Sequence, residues 1–138
     1  MREPDGGRCL IAMSRGGADA DVVREFDLDR LEFVSDGFAL PEVKSEVAWL
    51  GPDEIFVATD FGPGSMTTSG YPQTIRTWRR GTPLSDAPVV FEGEPGDMGV
   101  SAWRLHAPGY ERECAERRKT FFTTDLSATK SWLQTSLR

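Results

Sequence analysis

Histidine occurs once in these 138 residues, as His106, and cysteine twice, as Cys9 and Cys114. A single histidine excludes ordinary multi-histidine metal sites, and no CxxC or other zinc-type spacing replaces them. Two cysteines so far apart do not make a disulfide framework, and they read as reduced, buried thiols of a cytoplasmic protein. Nowhere do about 18 apolar residues run together, and the opening MREPDGGRCL has no apolar stretch of signal-peptide length. The expectation is a soluble, cytoplasmic chain with no membrane partner. A basic excess is missing too: 16 Lys and Arg stand against 22 Asp and Glu, for a net charge of -6. Such a surface repels phosphate backbones and sets nucleic acid aside as a partner. Neither Arg15-Gly-Gly17 nor Gly62-Pro-Gly64 has the spacing or the following helix of a phosphate-binding loop. No cofactor is expected.

What the chain has in quantity is punctuation, with 14 Gly and 9 Pro, the composition of many short strands joined by tight turns. One phrase occurs twice. Ile11-Ala-Met-Ser14-Arg-Gly-Gly17 leads into Val22-Val-Arg-Glu-Phe26-Asp27, and Ile55-Phe-Val-Ala-Thr-Asp60-Phe-Gly62 leads into Thr74-Ile-Arg-Thr-Trp78-Arg79. Each copy is an apolar strand, a glycine turn and an alternating strand that ends near an aromatic. Repeated hairpins of this kind belong to radially arranged β units, each covering its neighbour's apolar face.

The predicted fold is all-β, with antiparallel four-stranded propeller-type blades. Residues 8–34 form a partial blade and Phe38–Pro41 a crossing segment. A complete blade spans 45–91, with strands at Ser45–Leu50, Ile55–Asp60, Thr74–Arg80 and Pro88–Phe91, and Gly51-Pro-Asp53-Glu54 as its first turn. Gly99-Val100-Ser-Ala-Trp103 echoes Glu46-Val47-Ala-Trp49 and opens a second partial blade over 98–122. The propeller region thus covers 1–125. Residues 126–138 form either a frayed tail or a short helix, capped by Ser127 with Trp132, Leu133 and Leu137 on one side.

None of the residues that could carry chemistry stands in a working pattern. Gly99-Val-Ser101-Ala-Trp103 approaches a G-x-S-x-G nucleophile elbow, but Trp103 occupies the place of the second glycine, so Ser101 reads as a strand serine. Ser65, in Gly62-Pro-Gly-Ser-Met66, reads as a turn residue, and His106 as a solvent-facing or hydrogen-bonded turn histidine. The acidic clusters Asp19/Asp21, Asp27/Asp29 and Glu92/Glu94/Asp97 lack the DxDxDG arrangement of a calcium loop and suit Asx turns, with a loop calcium site as the lesser alternative. Arg79-Arg80 and Arg117-Arg118-Lys119 read as solvated edge charges that discourage aggregation. Trp49, Trp78 and Trp103 read as packing between neighbouring sheets. Catalytic, cofactor and metal residues are therefore expected to be absent.

Several stretches resemble the β-propeller of the prolyl oligopeptidase family of serine peptidases (family S9): SRGGADADVVREFDLD (Ser14–Asp29), GFALPEVKSEVAWL (Gly37–Leu50), TDFGPGSMTTSGYP (Thr59–Pro72) and TWRRGTPLSDAP (Thr77–Pro88), with GYERECAERRKTFF (Gly109–Phe122) as a weaker continuation. The resemblance implies a seven-bladed propeller over an α/β-hydrolase domain whose Ser-Asp-His triad cleaves short peptides, the propeller limiting access. On that reading this chain is a non-catalytic propeller fragment, and peptides are substrates only of the full-length parent. The alternative is a stand-alone interaction module. Blades cut from a ring expose strand edges, so homo-oligomers or strand exchange are expected through 8–34 and 98–122.

Overall fold

A computed structural model describes residues 6–107, 110–120, 124–129 and 135–137. They form three antiparallel sheets that follow one another along the chain. The first contains β1 (Arg8–Ser14), β2 (Asp21–Asp27), β3 (Glu32–Phe33) and β4 (Ala39–Val43). The second contains β5 (Glu46–Gly51), β6 (Glu54–Ala58), β7 (Thr74–Arg79) and β8 (Val89–Glu92). The third contains β9 (Gly99–Ala107), β10 (Tyr110–Arg118), β11 (Thr124–Thr129) and β12 (Thr135–Leu137).

The second sheet is a four-stranded meander in chain order, and its strands lie where the sequence puts a complete blade. Its strand β6 reads Glu-Ile-Phe-Val-Ala, apolar without alternation, as a strand covered on both faces should. Ile55 and Val57 pack with Trp49 against Leu10, Val23, Phe38 and Leu40 of the first sheet's segment. Phe56 and Ala58 turn the other way, joining Ala48, Leu50, Ile75 and Phe91 against Val100 and Ala115 of the third sheet. Ile55 and Phe56 are each 1% exposed, and burying one side chain of that size contributes roughly 1.5–3 kcal/mol.

The first sheet is three strands wide, because β3 and β4 share one flank of β2. β3 pairs with Phe26 and Asp27, and β4 with Asp21–Arg24. The expected crossing segment Phe38–Pro41 is thus mostly strand. Leu40 sits opposite Val23 and supplies core, while Pro41 is tolerated because β4 is an edge. The β1–β2 hairpin turns through Gly16 (φ 58°) and Gly17 (φ 78°), a left-handed pair that L side chains resist.

The third sheet runs in the order β12-β11-β10-β9. This corrects the expected helix or frayed tail after Asp125: Ser127 lies in β11 opposite Ala115, and Leu137 lies in β12 opposite Leu126. The backbone edge of β10 offers a full row of hydrogen bonds, which outweigh a single serine cap. Phe122, Trp132 and Leu133 lie outside the described residues.

Candidate functional site

The least expected residue of the fold is Glu25. It follows Val23 in the inward phase of β2, so the alternation that buries Val23 also buries a carboxylate, and its side chain is 0% exposed. A buried carboxylate is tolerated only when paired and hydrogen-bonded. Four donors meet this one. Phe38 N–H and Arg80 Nη1 donate to Oε1 at 3.0 and 2.9 Å. Arg80 Nη2 and Arg8 Nη1 donate to Oε2 at 3.0 and 2.8 Å. Burial would raise the Glu25 carboxyl, but the bonds from Arg80, Phe38 and Arg8 outweigh it and hold it below the ordinary glutamate value.

Arg80 follows β7 in the second sheet, so the pair crosses between sheets. Its guanidinium also donates from Nε to Asp53 Oδ1 and from Nη2 to the Pro52 carbonyl, both at 2.9 Å. Its charge lies 4.8 Å from the centre of the Phe38 ring. Phe38 in turn makes edge contacts with Trp49 and Trp78, at centroid distances of 6.0 and 5.1 Å. The seam between the first two sheets is therefore an aromatic cluster with an arginine laid over it and a carboxylate locking the arginine. Beside it lies an open depression of about 560 Å³, lined by Gly51, Pro52, Asp53, Glu54, Arg79 and Arg80.

A second clamp ties the loop between the second and third sheets to β10. Arg117 Nε and Nη2 donate to Asp97 Oδ2 and Oδ1 at 2.8 and 3.3 Å, and the Glu94 N–H donates to Oδ2 at 2.8 Å. Burial would raise Asp97, and the Arg117 hydrogen bond reverses it, leaving that carboxyl below the ordinary aspartate value. Each clamp has a glycine beneath its carboxylate. A Cβ on Gly37 would come within 3.0 Å of Glu25 Oε1, and one on Gly93 within 2.8 Å of Asp97 Oδ2.

These clamps correct the reading of the basic runs as solvated edge charges. Arg79 is exposed as expected, but Arg80 and Arg117 reach inward. A buried partner becomes visible in sequence only through strand phase, where Glu25 falls on the core side of VVREFD. Trp49 and Trp78 pack between sheets, while Asp27 Oδ1 accepts the N–H groups of Asp29 and Arg30 in an Asx turn.

The other candidate residues are not brought together. Ser65 Oγ donates to the Gly62 carbonyl at 2.6 Å and accepts the Phe61 N–H at 2.9 Å, which makes it a turn residue. Ser101 lies within strand β9 opposite Glu116, and His106 lies in the same strand opposite Glu111. Cys9 and Cys114 are free thiols in different sheets, the second buried and its thiol pushed up by burial. Among the described residues no group of three or more His, Cys, Asp or Glu is placed to hold a metal ion, and no helix is long and apolar enough to cross a membrane.

Comparison with known proteins agrees with the sheet architecture. The family profile described as the prolyl oligopeptidase N-terminal beta-propeller domain matches residues 2–105. An uncharacterized peptidase of Sinorhizobium fredii is 39% identical over 126 residues, 90% of this chain, and one of Rickettsia prowazekii is 34% identical over 106 residues, 71% of this chain. The chain spans only 17% and 15% of those two proteins. A solved post-proline cleaving enzyme from Rickettsia typhi superposes with a TM-score of 0.85 at 28% identity, over 99% of this chain and 22% of that one. A prolyl endopeptidase structure at 20% identity shares the fold, with a TM-score of 0.72 over 94% of this chain and 19% of that one. With three successive antiparallel sheets and a profile match over most of its length, the chain belongs to the prolyl oligopeptidase family, as part of its N-terminal β-propeller.

Proposed function

We propose that this chain is a wall segment of a post-proline-type oligopeptidase, limiting which peptides reach a catalytic domain supplied elsewhere in a longer protein, and that it performs no hydrolysis itself. The observation that carries the reading is the match of residues 2–105 to the propeller domain of that family, in a chain spanning about a fifth of the solved relative. The use of its side chains supports it: Glu25, Asp97, Arg80 and Arg117 are consumed in holding sheets, and Ser65 and Ser101 are held as turn and strand residues. Two free thiols suit a cytoplasmic setting.

The test is hydrolysis of a chromogenic peptide with proline before the scissile bond. The purified chain should leave it intact. Turnover that disappears in Ser101→Ala would overturn the non-catalytic reading. The wall role is checked separately by exchanging this chain for the matching segment of the Sinorhizobium peptidase. Loosening the seam with Glu25→Gln should then raise cleavage of long peptides relative to short ones, and an unchanged length preference would remove the gate.

A further inference from the structure

The two ends of the seam between the first and second sheets are held very differently. At the turn end, where β5 meets β6, the Glu25 clamp and the rings of Phe38, Trp49 and Trp78 fill it. At the loop end, where residues 59–73 join β6 to β7, it is polar and poorly bonded. Continuing the β5–β6 and β6–β7 registers beyond Glu46↔Ala58 and Val57↔Arg76 brings Ser45 opposite Thr59 and Thr59 opposite Thr74. All three share the strand phase of Val47 and Val57, which pack toward the first sheet. Thr59 is 3% and Thr74 7% exposed. Among the described residues the three hydroxyls are buried without a hydrogen-bond partner. Water would supply those bonds, so closing this end carries a penalty that opening relieves.

What spans the seam at the loop end is long and exposed. The Tyr71 hydroxyl donates to Asp19 Oδ2, in the β1–β2 turn, at 3.4 Å. Lys44 Nζ lies 4.0 Å from the same oxygen and 4.2 Å from the centre of the Tyr71 ring. The Asp19 side chain is 69% exposed, and such a contact is worth far less than the buried clamp.

The connections decide how the seam can move. Lys44 and Ser45 link the end of β4 to the start of β5, at the loop end, and Arg80 ties β2 to the end of β7, at the turn end. These anchors stand at opposite corners of the second sheet, and Thr59 and Thr74 lie off the line between them. The second and third sheets are fastened to each other at the loop end. There the Thr68 N–H donates to the Pro95 carbonyl and the Gly93 N–H to the Gln73 carbonyl, both at 2.8 Å.

We propose that the first sheet is a hinged flap. It swings off the second sheet at the loop end of β6 and β7, about the Lys44–Ser45 link and the Glu25–Arg80 clamp, with Tyr71 and Asp19 as its latch. Opening lets water reach the Thr59 and Thr74 hydroxyls and leaves the aromatic seam beside the clamp closed.

The test is thiol labelling of the whole chain, read site by site by mass spectrometry, with a cysteine placed at either end of the seam as Thr74→Cys or Ile55→Cys. Ile55 is 1% exposed, so both thiols react only when the structure opens. Thr74→Cys should label the faster, at a rate nearly independent of urea, and Ile55→Cys only through global unfolding, at a rate that climbs with urea. Adding Thr59→Val to Thr74→Cys removes a hydroxyl that only the open seam satisfies and should slow labelling roughly tenfold. Adding Tyr71→Phe removes the latch bond and should speed it about threefold. Should Ile55→Cys not fold, the urea dependence of unfolding read by tryptophan fluorescence takes its place as the reference. Labelling of Thr74→Cys that climbs with urea as steeply as global unfolding, or that Thr59→Val fails to slow, overturns the flap.

Discussion

Glu25 has no exposed side-chain surface, and the other charges in its clamp have it as their reason to be there. Arg80→Ala would leave a buried carboxylate with only Arg8 and the Phe38 N–H, and stranding one member of a buried pair costs about 3–5 kcal/mol. Urea unfolding should show a loss of that order, a large part of a small domain's total stability. Arg80→Lys should recover little of it, since an ammonium cannot donate to both oxygens of Glu25, to Asp53 and to Pro52 together. The pH dependence follows from the same pair. Glu25 and Asp97 both have folded values below their ordinary ones, so their contribution is complete above the ordinary carboxylate range, at about pH 4. It is lost as pH falls through the lowered values. Tm should therefore be flat near neutrality and drop below about pH 4, with a shallower drop in Glu25→Gln.

At the scale of the element, each clamp depends on a loop that passes close beneath a carboxylate. Gly37→Ala would put a methyl 2.9 Å from Val34 Cβ and 3.0 Å from Glu25 Oε1. Overpacking of this kind costs about 1–3 kcal/mol. The substitution should lower the urea midpoint, while Gly96→Ala, whose Cβ meets nothing within 4 Å, serves as a control of the same chemistry. The sequence reveals its elements unevenly. β6 and the Gly51–Glu54 turn are legible because a run of apolar residues and a Pro-Asp corner are local signals. β4 is not, because a strand carrying Pro41 is defined by the partner it finds in β2. β11 and β12 are hidden for the same reason, since a short polar segment becomes a strand only where a neighbour offers an edge, β10 to β11 and β11 in turn to β12. The clamps escape a linear reading altogether: Arg79-Arg80 looks like surface charge until a carboxylate from another sheet is seen beneath it.

At the scale of the molecule, the middle sheet is covered on both faces, by the first sheet and by the third. Among the described residues β1 pairs only with β2, and the first sheet's segment leaves Met13, Leu31 and Phe33 at 37%, 75% and 36% exposure. Unpaired edges beside exposed apolar side chains associate. We propose that the isolated chain self-associates through the first sheet. Light scattering should show oligomers that grow with concentration and shrink in Met13→Lys, while a sharp monomer at high concentration would rule this out.

The reach of the Glu25–Arg80 pair also sets an order of events as the chain is made. The two residues are separated by 55 positions, so Glu25 leaves the ribosome well before the arginine that neutralises it. Closing the first sheet over Glu25 before Arg80 arrives would leave the buried carboxylate to Arg8 and the Phe38 N–H alone, so the first sheet is expected to gain its full stability only once β7 has delivered Arg80. One carboxylate thereby couples the stability of the strands made first to that of the second sheet.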